Sequence, residues 1–406
     1  MAGLEALEPL DYSSHRSRLI AHVAGGDSKA SVAGFIVTSS ENIRWLTGFT
    51  GSAGIVVVSA DEREPVVLVT DGRYSEQAAV EASRSKANVR VIERRTQAAM
   101  REAVADFLVT GDSWGFEAGD ITVAEFEALV AACETKGRAF ERAAFIDGAS
   151  ILADLRRTKS HPELQRIRRA AAIADEALAE VLRLIVAGTS EREFRNELDA
   201  AMCRLGADDV SFPTIVASGP NAALPHHHPS DRKFLGGDAV VVDFGALVDG
   251  YHSDMTRTFV IDGPGADDMR SRHDVVRRAC EAGVAAVHPG VTGSEIDSAC
   301  RAVLAAAGLE VELTHGVGHG VGLLIHESPW VNPRSADVLR PGDVVTVEPG
   351  AYRVGLGGVR VEELLVVTES GHLVLTKSPK EPTCPPSPPT TSRTGSLSSS
   401  TTASSR

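Results

Sequence analysis

At 406 residues and 43% hydrophobic composition, the chain has room for two or three domains and an ample core. Its net charge of −14, with no basic run, weighs against nucleic acid or an anionic membrane as partner. No apolar run reaches transmembrane length, and the acidic start Met1-Ala-Gly-Leu-Glu5-Ala-Leu-Glu8 lacks the apolar stretch of a signal peptide.

Residues 1–155 alternate strand and helix signals, as an α/β domain does. Phe35–Val37, Ile55–Val58 and Val66–Val69 read as strands. Helical periodicity follows Tyr74 and returns near Thr96–Leu108 and Thr122–Cys133. Trp45 and Phe49 read as core packing, with a wall of the site or a dimer contact as the alternative. Asp71-Gly-Arg73-Tyr74 reads as a strand-to-helix corner with an ion pair. Cys133, Cys203, Cys280, Cys300 and Cys384 are scattered and lack C-x-x-C spacing. They suit reduced, buried thiols in a cytoplasmic enzyme.

A boundary is expected near Arg156-Arg157-Thr158-Lys159, opening a second domain over 156–380. Ser160-His-Pro162-Glu163 has the spacing of a capping box with an early proline, a strong helix start. Leu164, Ile167, Leu178, Val181, Leu182 and Ile185 then form one apolar stripe down to Gly188. Three consecutive histidines, His226, His227 and His228, precede the next apolar strand. Their spacing does not say which of them, if any, acts.

Gly237 to Phe259 reads as two strands joined at Asp249-Gly250, a dipeptide suited to a tight hairpin turn. With that turn, Val248 faces Tyr251, Asp254 faces Gly245 and Asp243 faces Thr256. Asp243 and Asp254 then share a face as diagonal neighbours, about 7–8 Å apart. Two carboxylates on a buried face need a compensating cation, unless one turns to solvent at the strand end.

The pattern returns later in the chain. Gly342-Asp343 leads to Glu348-Pro-Gly350 as Gly237-Asp238 leads to Asp243-Phe-Gly245, and each return strand carries an acid, Asp254 or Glu362. Ser190–Glu193 and Thr292–Glu295 repeat the capping-box spacing. We read two copies of a helix–helix–hairpin unit facing a shared site. Between them, Leu313 to Glu327 is rich in glycine and holds His315, His319 and His326. It matches no phosphate-binding pattern. Its glycines allow the backbone to approach a crowded site. His319 can serve as a neutral metal ligand, and His326 as a proton or hydrogen-bond donor.

Asp243, Asp254, His319, Glu348 and Glu362 together offer four carboxylates and one imidazole. Such a set suits two divalent ions about 3.5–4 Å apart, a bridging hydroxide as nucleophile and a polarised scissile carbonyl. Glu348 is the carboxylate best suited to relay the proton.

That spacing resembles the pita-bread metallopeptidases, which include methionine aminopeptidases, Xaa-Pro aminopeptidases and prolidases. Residues 243–245 (Asp-Phe-Gly), 253–258 (Ser-Asp-Met-Thr-Arg-Thr), 318–327 (Gly-His-Gly-Val-Gly-Leu-x-x-His-Glu), 347–350 (Val-Glu-Pro-Gly) and 359–363 (Val-Arg-Val-Glu-Glu) resemble the prolyl-peptidase branch. So does the stretch from Arg44 to Ser52. The resemblance spans about residues 30–380. It implies an α/β protein: a creatinase/prolidase-like N-terminal α/β domain and a pita-bread α+β domain with an internal pseudo-twofold repeat.

By resemblance, Asp243 is a terminal ligand of one metal, His319 and Glu348 bind the other, and Asp254 and Glu362 bridge. His226 matches the family's substrate-side histidine, His326 the one at the scissile region, and Arg360 the substrate-binding arginine beside the last ligand. The resemblance further implies Mn, with Co or Zn as alternatives, a homodimer, and peptides with proline in second position. Glu363 departs from the pattern, standing where Asp is common. Arg334 is a candidate for a dipeptide carboxylate, and dipeptidase and aminopeptidase both stand. Two other classes compete: a metal-free creatinase-like amidinohydrolase and a non-catalytic binding protein. Both are expected to have lost ligands, whereas all five positions here carry ligand-competent residues.

Residues 381–406 turn to Pro, Ser and Thr without apolar periodicity and read as a disordered tail. Their composition also fits GC-rich coding DNA read out of frame.

Overall fold

The structure is a computed structural model, describing residues 6–24, 32–108, 112–137 and 144–383. The first half builds one mixed sheet. Its elements are α1 (Tyr12–Ala24), β1 (Gly34–Val37), α2 (Ser40–Thr47), β2 (Gly54–Ser59), β3 (Val66–Asp71), α3 (Ser75–Ser85), β4 (Val89–Arg94), α4 (Gln97–Ala105), β5 (Trp114–Phe116), α5 (Val123–Thr135), β6 (Phe145–Asp147) and α6 (Ala149–Arg157). The strand order is β4-β3-β2-β1-β5-β6. Strand parity divides its apolar residues. Ile36, Val57, Val67 and Val69 pack with Met100 and Leu129, on the side of α4 and α5. Phe35, Val37, Val56, Val58 and Leu68 join a different core that includes Trp45, Phe49, Tyr251, Val321, Val344 and Leu364. The two halves of the chain therefore share a core.

Trp45 and Phe49 are buried, as the core reading expects. His15 stacks on Trp45 with ring centroids 4.5 Å apart. Asp71 and Arg73 form the expected corner ion pair at 2.8 Å.

The second half contains α7 (His161–Val181), α8 (Glu191–Arg204), β7 (Asp209–Val210), β8 (Ile215–Ser218), β9 (Ala239–Phe244), β10 (Ala246–Val248), β11 (Tyr251–His252) and β12 (Met255–Val260). It continues with α9 (Ala266–Ala286), α10 (Gly293–Ala306), β13 (Gly318–Gly320), β14 (Glu327–Val331), β15 (Val344–Val347), β16 (Gly350–Arg353), β17 (Gly357–Arg360), β18 (Glu363–Thr368) and β19 (Gly371–Val374). The internal repeat is plain in this order. Helices α7 and α8 pack together, as do α9 and α10. The long pair β9/β12 encloses the small hairpin β10–β11, and β15/β18 encloses β16–β17. Capping boxes at Ser190–Glu193 and Thr292–Glu295 start the second helix of each repeat. Gly188 N–H donates to Phe234 O, and Gly290 N–H to Leu339 O, both at 2.9 Å.

The hairpin register is the expected one: Val248 pairs with Tyr251 and Asp243 with Thr256. Asp249 and Gly250 both have positive φ, 46° and 76°, which a type I′ turn requires.

The alternation of Val359-Arg360-Val361-Glu362-Glu363 reads as one strand, with Arg360 and Glu362 on one face, but these residues do not form a single strand. The chain leaves β17 at Arg360 and enters β18 at Glu363, changing partners from β16 to β15. Glu362, in the crossing, donates its N–H to Thr256 O at 3.2 Å. One thiol expected to be buried is exposed, Cys203, whereas Cys133, Cys280 and Cys300 are buried. Cys384 and residues 384–406 lie outside the described residues, so the reading of the tail does too. Pro382 is still held, accepting from Val260 N–H at 2.8 Å. Among the described residues no helix is long and apolar enough to cross a membrane.

Candidate active site

The two enclosing strand pairs meet at a cavity of about 600 Å³. Each repeat delivers its acids from strand ends. Asp243 stands near the end of β9, Asp254 just before β12, Glu348 just after β15 and Glu362 between β17 and β18. His319 is the middle residue of β13. All five line the cavity with Arg360, and His226 and His326 stand there too. Phe212, Pro213, Ile215, Pro225, Ile325 and Trp330 form its apolar walls. Arg334 is exposed and not part of the lining.

One ligand atom each from Asp254, His319 and Glu362 lies within 4.8 Å of the others, all three residues buried. His319 Nε2 is 3.6 Å from Asp254 Oδ2 and 3.6 Å from Glu348 Oε1. A carbonyl only accepts, so the 3.0 Å bond to Gly320 O puts the proton on His319 Nδ1. The Nε2 lone pair is thereby turned toward the acids. Burial and the neighbouring His326 favour the neutral ring, and the pKa falls to about 4.

The acids repel one another. Burial, then Glu362, Asp243 and Glu348, raises the Asp254 carboxyl well above its usual range. Burial, then Glu348 and Asp243, does the same to Glu362. Glu348 is pushed up to about 7 by burial, with Arg360 opposing and Asp243 adding to the rise. Asp243 Oδ1 and Glu362 Oε1 are buried without any hydrogen-bond partner. Orphaned acceptors, crowded carboxylates and a neutral imidazole lone pair fit divalent cations.

Arg360 is 3% exposed, and protein groups occupy its donors. Nε donates to Thr256 Oγ1 at 2.9 Å, Nη1 to Tyr352 Oη at 2.8 Å and Nη2 to Asp243 Oδ2 at 2.5 Å. Thr256 Oγ1 in turn donates to Glu362 Oε2 at 2.8 Å. Thr256 and Tyr352 were not among the expected site residues. Thr256 was detectable, since it pairs with Asp243 and shares the parity of Asp254. Tyr352 carried no sequence signal, because its role depends on how β16 folds back over β17.

The three histidines differ. His227 Nε2 donates to the buried Glu191 at 2.9 Å, while His226 and His228 are exposed. The rings of His319 and His326 meet edge to face, centroids 4.4 Å apart.

Residues 165–369 match the model of metallopeptidase family M24, and residues 27–158 match the creatinase/prolidase N-terminal domain. The chain belongs to metallopeptidase family M24. An uncharacterized peptidase of Bacillus subtilis is 39% identical over 358 residues, covering 86% of this chain and 95% of that protein. A solved Xaa-Pro dipeptidase from Bacillus anthracis superposes with a TM-score of 0.82 at 35% identity, covering 91% of this chain and 99% of the other. An X-Pro aminopeptidase structure from Thermotoga maritima gives 0.79 at 31% identity, covering 90% and 98%. As an M24 enzyme the chain is a metallopeptidase, with the creatinase-type domain preceding the catalytic fold.

Proposed function

We propose that this M24 enzyme hydrolyses the Xaa-Pro bond at the N-terminus of peptides or dipeptides, using two divalent metal ions. The observation that carries the reading is the convergence of Asp243, Asp254, His319, Glu348 and Glu362, two of them with orphaned oxygens, on one cavity. The Xaa-Pro dipeptidase and X-Pro aminopeptidase among its structural neighbours support the substrate class. The intact acid set speaks against the creatinase-like and non-catalytic alternatives. We assign residues 156–380 to the catalytic domain and 1–155 to the N-terminal domain, and expect a cytoplasmic homodimer with Mn.

Asp243, Asp254, His319, Glu348 and Glu362 would hold the ions. Bound divalent ions supply Lewis acidity, lowering the pKa of water and polarising the scissile carbonyl. Arg360 restrains Asp243 and Glu362, the latter through Thr256, and offsets part of the site's negative charge. Glu348 takes the proton of the attacking water and passes it to the leaving imino nitrogen. His326, in the cavity lining, donates a hydrogen bond to the scissile region, and His226, also in the lining, faces the substrate. The apolar walls exclude water and suit a prolyl ring.

Exhaustive chelation is expected to abolish Xaa-Pro hydrolysis, and Mn to restore it. Elemental analysis should find about two ions per chain. Full activity in metal-free protein would sink the two-metal reading. Rates on Xaa-Pro dipeptides against longer peptides would separate dipeptidase from aminopeptidase.

A further inference from the structure

We propose that Glu191 is a positioning residue for His226, holding the strap that presents this histidine to the substrate. The proposal rests on the reading of His226 as a substrate-side group. Glu191 opens α8 and is fully buried. Its Oε1 accepts from Ser218 N–H at 2.8 Å, Ser218 Oγ at 2.7 Å and Asn221 Nδ2 at 3.0 Å. Its Oε2 accepts from His227 Nε2 at 2.9 Å, Ser230 N–H at 3.0 Å and Ser230 Oγ at 2.6 Å. Every one of these donors comes from the stretch 218–230. The backbone joins in: Glu191 N–H donates to Arg232 O at 3.1 Å, and Arg192 N–H to Ser230 O at 3.0 Å.

One carboxylate thus ties down both ends of the strap and its middle. Pro225, His226, His227 and His228, all within this stretch, line the cavity. A carboxylate accepts only, so His227 Nε2 carries a proton and His227 is committed to Glu191. Within the triple histidine, His227 is committed to Glu191, while His226 and His228, both exposed and both in the cavity lining, keep their rings free of it. Burial raises the Glu191 carboxyl, but hydrogen bonds from Ser230, Asn221, His227 and Ser218 outweigh it and bring the pKa to about 2. The group is therefore an ionised acceptor throughout the neutral range. Glu191→Gln keeps the shape but replaces one acceptor oxygen with an NH2 that faces other donors.

The test is a double-mutant cycle on the Mn-loaded full chain, with Glu191→Gln, His226→Ala and the pair together. Glu191→Gln is expected to lower kcat/KM for an Xaa-Pro peptide about tenfold to a hundredfold, as hydrogen-bond partners behind functional groups do. Metal content should be unchanged and amide exchange over residues 218–230 faster. In the His226→Ala background the same change should cost nothing further. A single mutant with full kcat/KM, or losses that multiply in the double mutant, would overturn the proposal. His226→Ala with full kcat/KM would instead bring down the reading of His226, and the proposal with it. Should Glu191→Gln fail to fold, His227→Ala and His227→Gln replace it in the cycle. The Ala variant should lose activity through His226, and the Gln variant, which keeps a donor, should recover much of it. Equal losses in both, or none in either, would overturn the proposal.

Discussion

Glu362 and Glu363 are neighbours in sequence with opposite surroundings. Glu362 points into the acid cluster, with one oxygen on Thr256 and the other unpartnered. Glu363 points away, where Lys380 Nζ reaches it at 2.7 Å and Arg257 Nη2 at 3.4 Å. Glu362→Gln is expected to empty the metal site and reduce activity by orders of magnitude. Glu363→Gln should keep its metal and lose at most about a hundredfold in activity. Metal stoichiometry and kcat/KM of both variants check this, and the reverse pattern would show the ligand assigned one residue off. Glu163 gives a pH prediction. It is 1% exposed and accepts from Tyr251 Oη at 2.9 Å and from Ser160 N–H and Oγ, both at 2.7 Å. His15 Nε2 lies 3.5 Å away. Burial raises its pKa, but His15 and Ser160 outweigh that and lower it from 4.5 to about 2. A depressed folded pKa adds stability that is complete above the unfolded value and lost as pH falls toward the folded one. The contribution is roughly 3 kcal/mol. The stability gap between the wild type and Glu163→Gln, from urea midpoints, should therefore narrow between about pH 5 and about pH 3. A gap constant over that window would refute the assignment.

At the level of elements, the site depends on a backbone that runs unusually close to its neighbours. A Cβ on Gly318 would lie 2.1 Å from Thr346 O, and Gly318 pairs with Val331 at the start of β13. Gly318→Ala must push β13 off β15 and carry His319 with it. We expect weaker metal binding and a lower Tm, read by isothermal titration with Mn and by thermal unfolding. Gly371, with nothing within 4 Å of its Cβ position, is the control, and Gly371→Ala should leave Mn affinity intact. Equal Mn affinity in Gly318→Ala and the wild type would show that β13 can shift without moving His319.

Across the whole molecule, buried ion pairs hold the connecting segment against the second repeat. Arg157 Nε donates to Asp343 Oδ1 at 3.0 Å, and its Nη2 bonds Oδ2. Asp343 is 0% exposed and also accepts from Arg340 N–H at 2.8 Å. Lys159 Nζ reaches Glu327, the residue after His326, at 2.5 Å. Asn42 of α2 bonds Arg156 on one side and Glu117 on the other, extending the chain of polar contacts into the first sheet. Removing one member leaves its partner charged and buried. Asp343→Ala should cost about 3–5 kcal/mol. The urea midpoint measures it, and a loss below about 1 kcal/mol, the value of an exposed pair, would show the pair contributes little.

Much of this was legible in the residues alone. The Asp249-Gly250 turn set the register that pairs Asp243 with Thr256, because side-chain direction alternates with period two and a two-residue loop leaves no slack. The capping boxes marked the starts of α7, α8 and α10, because those hydrogen bonds are local. The repeated Gly-Asp spacing exposed the two-fold plan and the four acids at its centre. What lay beyond reach were contacts between residues distant in the chain. Nothing in Arg156-Arg157-Thr158-Lys159 distinguishes an exposed linker from a buried clasp, because the deciding partners, Asp343 and Glu327, are brought there only by the second repeat. The crossing at Val361-Glu362 was invisible for a similar reason: strand patterns report parity, not which strand is the partner. Nor could three identical side chains at 226–228 declare different roles. Tertiary structure sets one of them apart, by placing Glu191 within reach of His227, while His226 and His228 stay exposed in the cavity lining.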